Sequence, residues 1–222
     1  MDLAAFDFAD ARTRMVDSQV RPNKVTDPRI LGAMRALPRE RFLPPALASL
    51  AYTDDDIALG GGRVMLAPMV IARLVQLLAL QQGERALVVA AGPGYGAALL
   101  AACGARVTAL EDTPDLYALA SRALAETAPG VELAAGPLAA GWPAGAPYDV
   151  ILIEGAVREI PPAYATQLRA GGGRLAAVRQ LAGAVGQAVL AEATPFGLRT
   201  RPMFDCAAPP IPSLLPKPAF VF

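Results

Sequence analysis

The 222-residue chain contains no histidine. That absence removes the imidazole base of Ser–His–Asp and Cys–His catalysis, and with it the commonest nitrogen ligand of metal sites. Cysteine is scarce too: Cys103 and Cys206 are too few for a disulfide framework, and nothing is spaced like a zinc site. No charge excess exists either, since 20 Lys and Arg face 20 Asp and Glu, with a pI near 6.3. No overall field therefore draws the chain to nucleic acid or to an anionic membrane. Charged residues make up only 18% and aromatics 6%, against 54% hydrophobic and a mean hydropathy of +0.38. Such a chain buries a core rather than staying disordered. What these absences leave is chemistry that positions a reagent, not chemistry that moves protons.

The N-terminus mixes acids into its apolar residues and lacks a basic stretch followed by a hydrophobic one, so it does not read as a signal peptide. Ala86 to Ala105 carries no charge, yet Gly92-Pro93-Gly94-Tyr95-Gly96 at its centre breaks any membrane helix. A buried strand, a glycine turn and a buried helix account for it. The expectation is a soluble, cytoplasmic protein.

Residues 1–83 read as helical and loop-like. Phe6, Ala9, Met15 and Val16 fit one helix ending before Arg21-Pro22. Asp27-Pro28 opens a second as cap and first turn, and Pro38 stops it. Gly60-Gly61-Gly62 reads as a mobile loop, and Val70, Ile71, Leu74, Leu77 and Leu78 as a further amphipathic helix. Residues 84–206 alternate between strands and helices. Strand-length apolar runs lie at Arg85–Ala90, Arg106–Leu110, Val131–Ala134, Tyr148–Ile153 and Arg174–Val178, with helical stretches at Tyr95–Cys103, Asp115–Glu126 and Pro162–Leu168. That alternation predicts a parallel sheet covered on both faces. Ala188–Ala193, the turn Pro195-Phe196-Gly197 and Leu198–Phe204 predict a closing antiparallel hairpin. Residues 207–222 form a proline-rich tail expected to pack Phe220-Val221-Phe222 onto the domain. The expectation is one domain over 1–222.

In an open parallel sheet, ligands bind beyond the carboxyl ends of the strands. The turn after the first strand is Ala90-Ala91-Gly92-Pro93-Gly94-Tyr95, and the next strand ends at Glu111, placed to accept both hydroxyls of a ribose. A glycine turn with a strand-end acid suits an adenosine-containing cofactor. Gly92-x-Gly94-x-x-Ala97 with Glu111 downstream also satisfies a permissive dinucleotide pattern, so an NAD-linked oxidoreductase competes with an S-adenosylmethionine enzyme. A closing antiparallel hairpin, and the lack of a separate substrate domain, favour S-adenosylmethionine.

Longer words carry a family resemblance. Met15-Val16-Asp17-Ser18-Gln19-Val20-Arg21-Pro22, Asp27-Pro28-Arg29-Ile30-Leu31, and Pro38-Arg39-Glu40-Arg41-Phe42-Leu43-Pro44 resemble the N-terminus of protein-L-isoaspartate O-methyltransferases. Ala51-Tyr52, Gly94-Tyr95-x-Ala97-Ala98, Ala146-Pro147-Tyr148-Asp149, Glu159-Ile160-Pro161 and Gly171-Gly172-Gly173-Arg174-Leu175 continue the match, over about residues 12 to 205. The resemblance implies an α/β fold: a Rossmann-like seven-stranded S-adenosylmethionine-dependent methyltransferase sheet, mostly parallel, with a helical N-terminal extension. It implies methyl transfer to a carboxylate of isoaspartyl residues in damaged protein or peptide substrates. A carboxylate is already a nucleophile at neutral pH, so such transfer needs alignment and no histidine. The implied cofactor site comprises Ala90, Gly92, Gly94, Tyr95, Glu111, Asp112, Leu138 and Glu154, with Arg63 and Leu66 in the substrate loop and no metal. A catalytically degraded relative acting as a binding protein, and a methyltransferase with another acceptor, are the alternatives.

The sequence departs from the family at functional positions. Where the family pattern resembles E-x-G-x-G-S-G-Y, the acid is Val88 and the first glycine Ala90. A G-D-G-like turn is Gly136-Pro137-Leu138, and a Thr-Ala-Ala segment is Glu154-Gly155-Ala156. The substrate loop, resembling G-x-G-Q-T-I-S-x-P, is Gly60-Gly61-Gly62-Arg63-Val64-Met65-Leu66-Ala67-Pro68, so the serine position holds Leu66. Arg63 has two readings: a partner for a substrate carboxylate, or a solvated loop cation, the favoured one. Glu154 likewise either faces the ligand or points to solvent. Asp54-Asp55-Asp56 reads as a solvated loop rather than a magnesium site, Cys103 as core, and Trp142 as a loop anchor rather than an adenine platform.

Overall fold

Asp27 accepts a hydrogen bond from the Arg29 amide, and Pro28 fixes the first turn of a helix spanning Pro28–Ala36 (α2). Before it, α1 (Phe8–Met15) is capped by Asp7 and runs into a wide turn at Val16–Val20 and a tight one at Arg21–Asn23. The computed structural model describes residues 7–181 and 183–216. Phe6 and the closing Phe220-Val221-Phe222 therefore lie outside the described residues.

Gly60-Gly61-Gly62, expected as a loop, is part of a paired element. It is the turn of an antiparallel hairpin formed by β1 (Ile57–Gly60) and β2 (Arg63–Met65), in which Ile57 pairs with Met65. Inward-facing Ile57, Met65 and Arg63 hold the hairpin down. The helix α3 (Pro68–Leu77) follows, its apolar face buried.

The sheet follows the alternation read from the sequence. Its strands are β3 (Arg85–Val89), β4 (Arg106–Glu111), β5 (Glu132–Ala135), β6 (Val150–Val157), β7 (Arg174–Arg179), β8 (Gln187–Thr194) and β9 (Gly197–Asp205). They lie in the order β5-β4-β3-β6-β7-β8-β9. Pairs from β5 to β7 are parallel, and β8 and β9 close the sheet antiparallel. The helices α4 (Tyr95–Ala102), α5 (Pro114–Thr127) and α6 (Ala163–Gln167) connect them. Because β3, β4 and β6 are buried on both faces, their sequences are mostly apolar rather than alternating, with Glu111 and Glu154 the buried acidic exceptions. Val88 and Leu152 pack with α3 and α4 on one face, while Leu87, Val89, Ile151 and Ile153 pack with Tyr148 and Tyr164 on the other.

The chain leaves β3 outward to β4 and β5, then returns to β6 on the opposite side of β3. That reversal marks the carboxyl ends of β3 and β6 as the place where ligands of such sheets bind. At this point β6 bulges: Leu152 pairs with Ala176, but Ala156 pairs with Val178. A bulge re-aims the side chains it carries, here Glu154 and Gly155.

The tail returns to the same edge. The Pro209 carbonyl accepts from the Ala156 amide at 2.9 Å, and the Ile211 amide donates to the Ala156 carbonyl at 2.9 Å. Among the described residues, no helix is long and apolar enough to cross a membrane, and no cluster of three or more acids and cysteines is arranged to hold a metal ion.

Candidate functional site

The turn after β3 brings Gly92 and Gly94 into left-handed backbone, at φ 56° and 94°, before α4 begins. Ala90 shares that conformation at φ 57°. The backbone thus keeps a glycine's shape although the residue carries a methyl group, at a cost of about 1–2 kcal/mol. Directly beside this turn, Glu111 ends β4 with no exposed surface. It is neither solvated nor free. The Gly92 amide donates to its Oε2 at 2.7 Å, and the Asp112 and Thr113 amides donate to Oε1 at 3.1 and 3.0 Å.

Arg63 completes this cluster, and its solvated reading is overturned. The side chain is 6% exposed. Nη1 donates to Glu111 Oε1 at 2.8 Å and Nη2 to Glu111 Oε2 at 2.9 Å. Nη2 also donates to the Ala90 carbonyl at 2.9 Å, while Asp112 Oδ1 lies 3.6 Å from Nη1. The physical reason is the hairpin: β2 points alternate side chains inward, and Arg63 is one of them. Asp112 is thereby part of the same charged group.

Glu154 does not point to solvent either. It is 7% exposed and lies against the first turn of α4, where a Cβ placed on Gly96 would sit 2.2 Å from its Oε1. Burial pushes its carboxyl up to about 8; Glu111 adds to the shift, and the charges of Arg63 and Arg39 oppose it. Val88 packs into the same side of the sheet. A buried carboxyl thus lies one strand over from Val88.

The other expected residues lie further in. Tyr95 is buried, with its ring edge-on to Phe42 at 5.4 Å and the Arg39 guanidinium over it at 4.6 Å. Leu66 is 1% exposed within the core. Its carbonyl accepts from Arg39 Nη2 at 2.5 Å, and Arg39 Nε donates to the Ala51 carbonyl at 2.7 Å. Leu138 is buried in the turn Leu138–Ala140, where its carbonyl accepts from the Tyr164 hydroxyl at 2.7 Å. Trp142 anchors its loop through its backbone, to Gln167 and to the Tyr148 hydroxyl. Asp54 and Asp55 are exposed, whereas Asp56 accepts from the Ala67 amide before α3. Cys103 is buried.

Two contributors went unread in the sequence. Arg39 had a signal in its position between Pro38 and Phe42, but nothing there marks it as buried. The tail had none for its docking site: Ile211 fills the space beside Gly155, where a Cβ would lie 2.6 Å from Ile211 Cγ1, and Pro212 Cγ lies 3.0 Å from a Cβ placed on Gly62. Glycine at 155, with φ 143°, is what admits the tail.

The family model for protein-L-isoaspartate(D-aspartate) O-methyltransferase matches residues 11–190. The chain belongs to this family. A protein-L-isoaspartate O-methyltransferase of Methylorubrum extorquens (strain PA1) is 44% identical over 163 residues, covering 73% of this chain and 72% of that protein. One from Rhodopseudomonas palustris (strain HaA2) is 41% identical over 169 residues, covering 76% and 69%. Among solved structures, a protein-L-isoaspartate O-methyltransferase superposes with a TM-score of 0.78 at 24% identity, over 93% of this chain and 67% of that one. A Plasmodium falciparum protein described as a putative member, in complex with S-adenosyl-L-homocysteine, gives 0.76 at 16% identity, over 91% and 98%. At these identities the two structures establish the shared fold. Within the family's frame, the crevice holding Glu111 is the expected cofactor edge, and the hairpin bearing Arg63 is the expected substrate loop.

Proposed function

We propose that the chain is an S-adenosylmethionine-dependent carboxyl methyltransferase acting on isoaspartyl residues of damaged proteins, as its relatives' names describe, and that it works in the cytoplasm as one domain. The observation that carries this is Glu111: a buried acid at the end of β4, fixed by the Gly92, Asp112 and Thr113 amides beside a glycine turn. These residues fit an adenosine group, with Glu111 for the ribose hydroxyls and the Gly92–Gly94 turn for the approach of the chain beyond them. When bound, the cofactor supplies an electrophilic methyl on a sulfonium. The protein's own part is to hold the carboxylate in line and exclude water, which asks for no proton acceptor. Glu154 supplies the second buried acid of the crevice in place of the one missing at Val88.

A non-catalytic relative is the second reading, and it has its own observation. The loop position expected to carry a hydroxyl is Leu66, whose side chain lies in the core. Titration calorimetry with S-adenosylmethionine and S-adenosylhomocysteine, followed by methyl transfer to an isoaspartyl peptide against its aspartyl twin, separates the two. The proposal expects binding and isoaspartyl-selective transfer. Binding without transfer to either peptide points to a methyltransferase with another acceptor, and no heat with no thermal shift at millimolar ligand overturns the proposal and favours the second reading.

A further inference from the structure

The Glu111 carboxylate is full. Oε1 accepts from the Asp112 and Thr113 amides and from Arg63 Nη1; Oε2 accepts from the Gly92 amide and from Arg63 Nη2. An ionised carboxylate offers about four lone-pair sites, and here five donors share them. The edge of a guanidinium and the two adjacent hydroxyls of a ribose present the same pattern to a carboxylate: two donors side by side. They cannot occupy it together. The three backbone donors are fixed by the turn after β3 and by the end of β4, whereas Arg63 belongs to a separate hairpin 48 residues away in sequence. Arg63 is the donor that can leave.

We propose that Arg63 is an internal stand-in for the cofactor ribose: it latches the site shut by pairing with Glu111, and cofactor binds only by displacing it. This rests on the cofactor assignment above and extends it to how the site is controlled. The latch is braced from outside, because Pro212 of the tail packs on Gly62 at the tip of the hairpin and Ile211 packs on Gly155 beside the crevice. The pair is also worth displacing only for a ligand that returns two hydrogen bonds to Glu111. Breaking a buried ion pair by removing one partner leaves the other charge uncompensated in the interior, at a large cost. Displacement thus favours ligands carrying both hydroxyls. Once off Glu111, the guanidinium sits on the substrate loop as an unpaired cation, suited to a carboxylate acceptor, so cofactor binding precedes carboxylate binding.

The test measures affinity, not activity. S-adenosylhomocysteine is titrated into the wild type, Arg63→Gln and Arg63→Lys, each checked by thermal unfolding. Arg63→Gln removes the bidentate cation and is expected to bind at least tenfold tighter than the wild type, with Arg63→Lys between them. Because the latch must open for any ligand that takes up Glu111, the Arg63→Gln gain is expected to be the same for a 2′-deoxy analogue, which binds every variant more weakly. If Arg63→Gln is poorly folded, the Arg63→Lys comparison and its ligand-induced rise in Tm carry the test. Equal or weaker binding by both variants, with the wild type binding well, overturns the latch and leaves the cofactor assignment standing. Absence of binding by the wild type and both variants overturns the assignment and the latch together.

Discussion

Glu154 carries a carboxyl group into the interior with Oε1 lacking any hydrogen-bond partner among the described residues. The groups facing it are Arg63 from the hairpin, Arg39 from the turn Arg39–Phe42, Glu111 from β4 and the Tyr95 phenol from α4. Burial wins over the two cations and raises the acid from 4.5 to about 8. An acid raised on folding stabilises the native state below its unfolded pKa, and that contribution is lost as pH rises toward the folded value. Stability therefore declines from roughly pH 4.5 to pH 8. Histidine usually clouds this window, and the chain has none; the raised Asp56, also shifted by its burial, acts in the same direction. Urea unfolding at pH 5.5 and pH 8 is expected to show a lower midpoint at the higher pH, with Glu154→Gln flattening most of the difference. An unchanged slope in that variant would assign the decline to other groups. The sequence puts Glu154 at a strand's carboxyl end, but its direction depends on the β6 bulge and on Gly96 opposite, which leave no mark in the local pattern.

At the scale of elements, the hairpin and the tail form one device over the crevice. In Pro209-Pro210-Ile211-Pro212, only Ile211 has an amide to give, and it gives it to the Ala156 carbonyl. Ile211 is 2% exposed, so truncating it removes both packing and the anchor for the segment beside it. Ile211→Ala is expected to lose about 2–3 kcal/mol of local stability, read as faster proteolysis and amide exchange over residues 207–216 with a smaller change in global Tm. Equal loss across the whole sheet would show the tail to be an integral part of the core instead. The elements that were legible in advance had strong local causes: Asp27-Pro28 caps α2, and long apolar runs make β3, β4 and β6. The hairpin was not legible, since three consecutive glycines look like free loop and a three-residue strand is too short to show alternation. The tail's destination was hidden for a related reason, as its docking is specified by a glycine 56 positions earlier in the chain.

For the molecule as a whole, the parallel sheet, its closing antiparallel hairpin and the place of Glu111 at a strand end followed from the alternation of strands and helices, because topology rules leave few choices once the elements are known. The occupant of Glu111 did not follow, since a pair between a hairpin and a distant strand end obeys no local periodicity. The consequence is a distinctive ligand response. Binding normally slows amide exchange wherever it acts, by stabilising the bound state. Here S-adenosylhomocysteine is expected to slow exchange at Gly92–Tyr95 and at Asp112 and Thr113, whose amides line the acid, while speeding it at Ile57–Met65 as Arg63 leaves. In Arg63→Gln, the hairpin already lacks its tie to Glu111, so its exchange is faster without ligand and changes little on addition. Slowing at the hairpin as well as the turn in the wild type would mean that cofactor binds with Arg63 still seated. The carboxylate of Glu111 would then have to release a backbone amide instead, and the turn after β3 rather than the substrate loop would be the moving part.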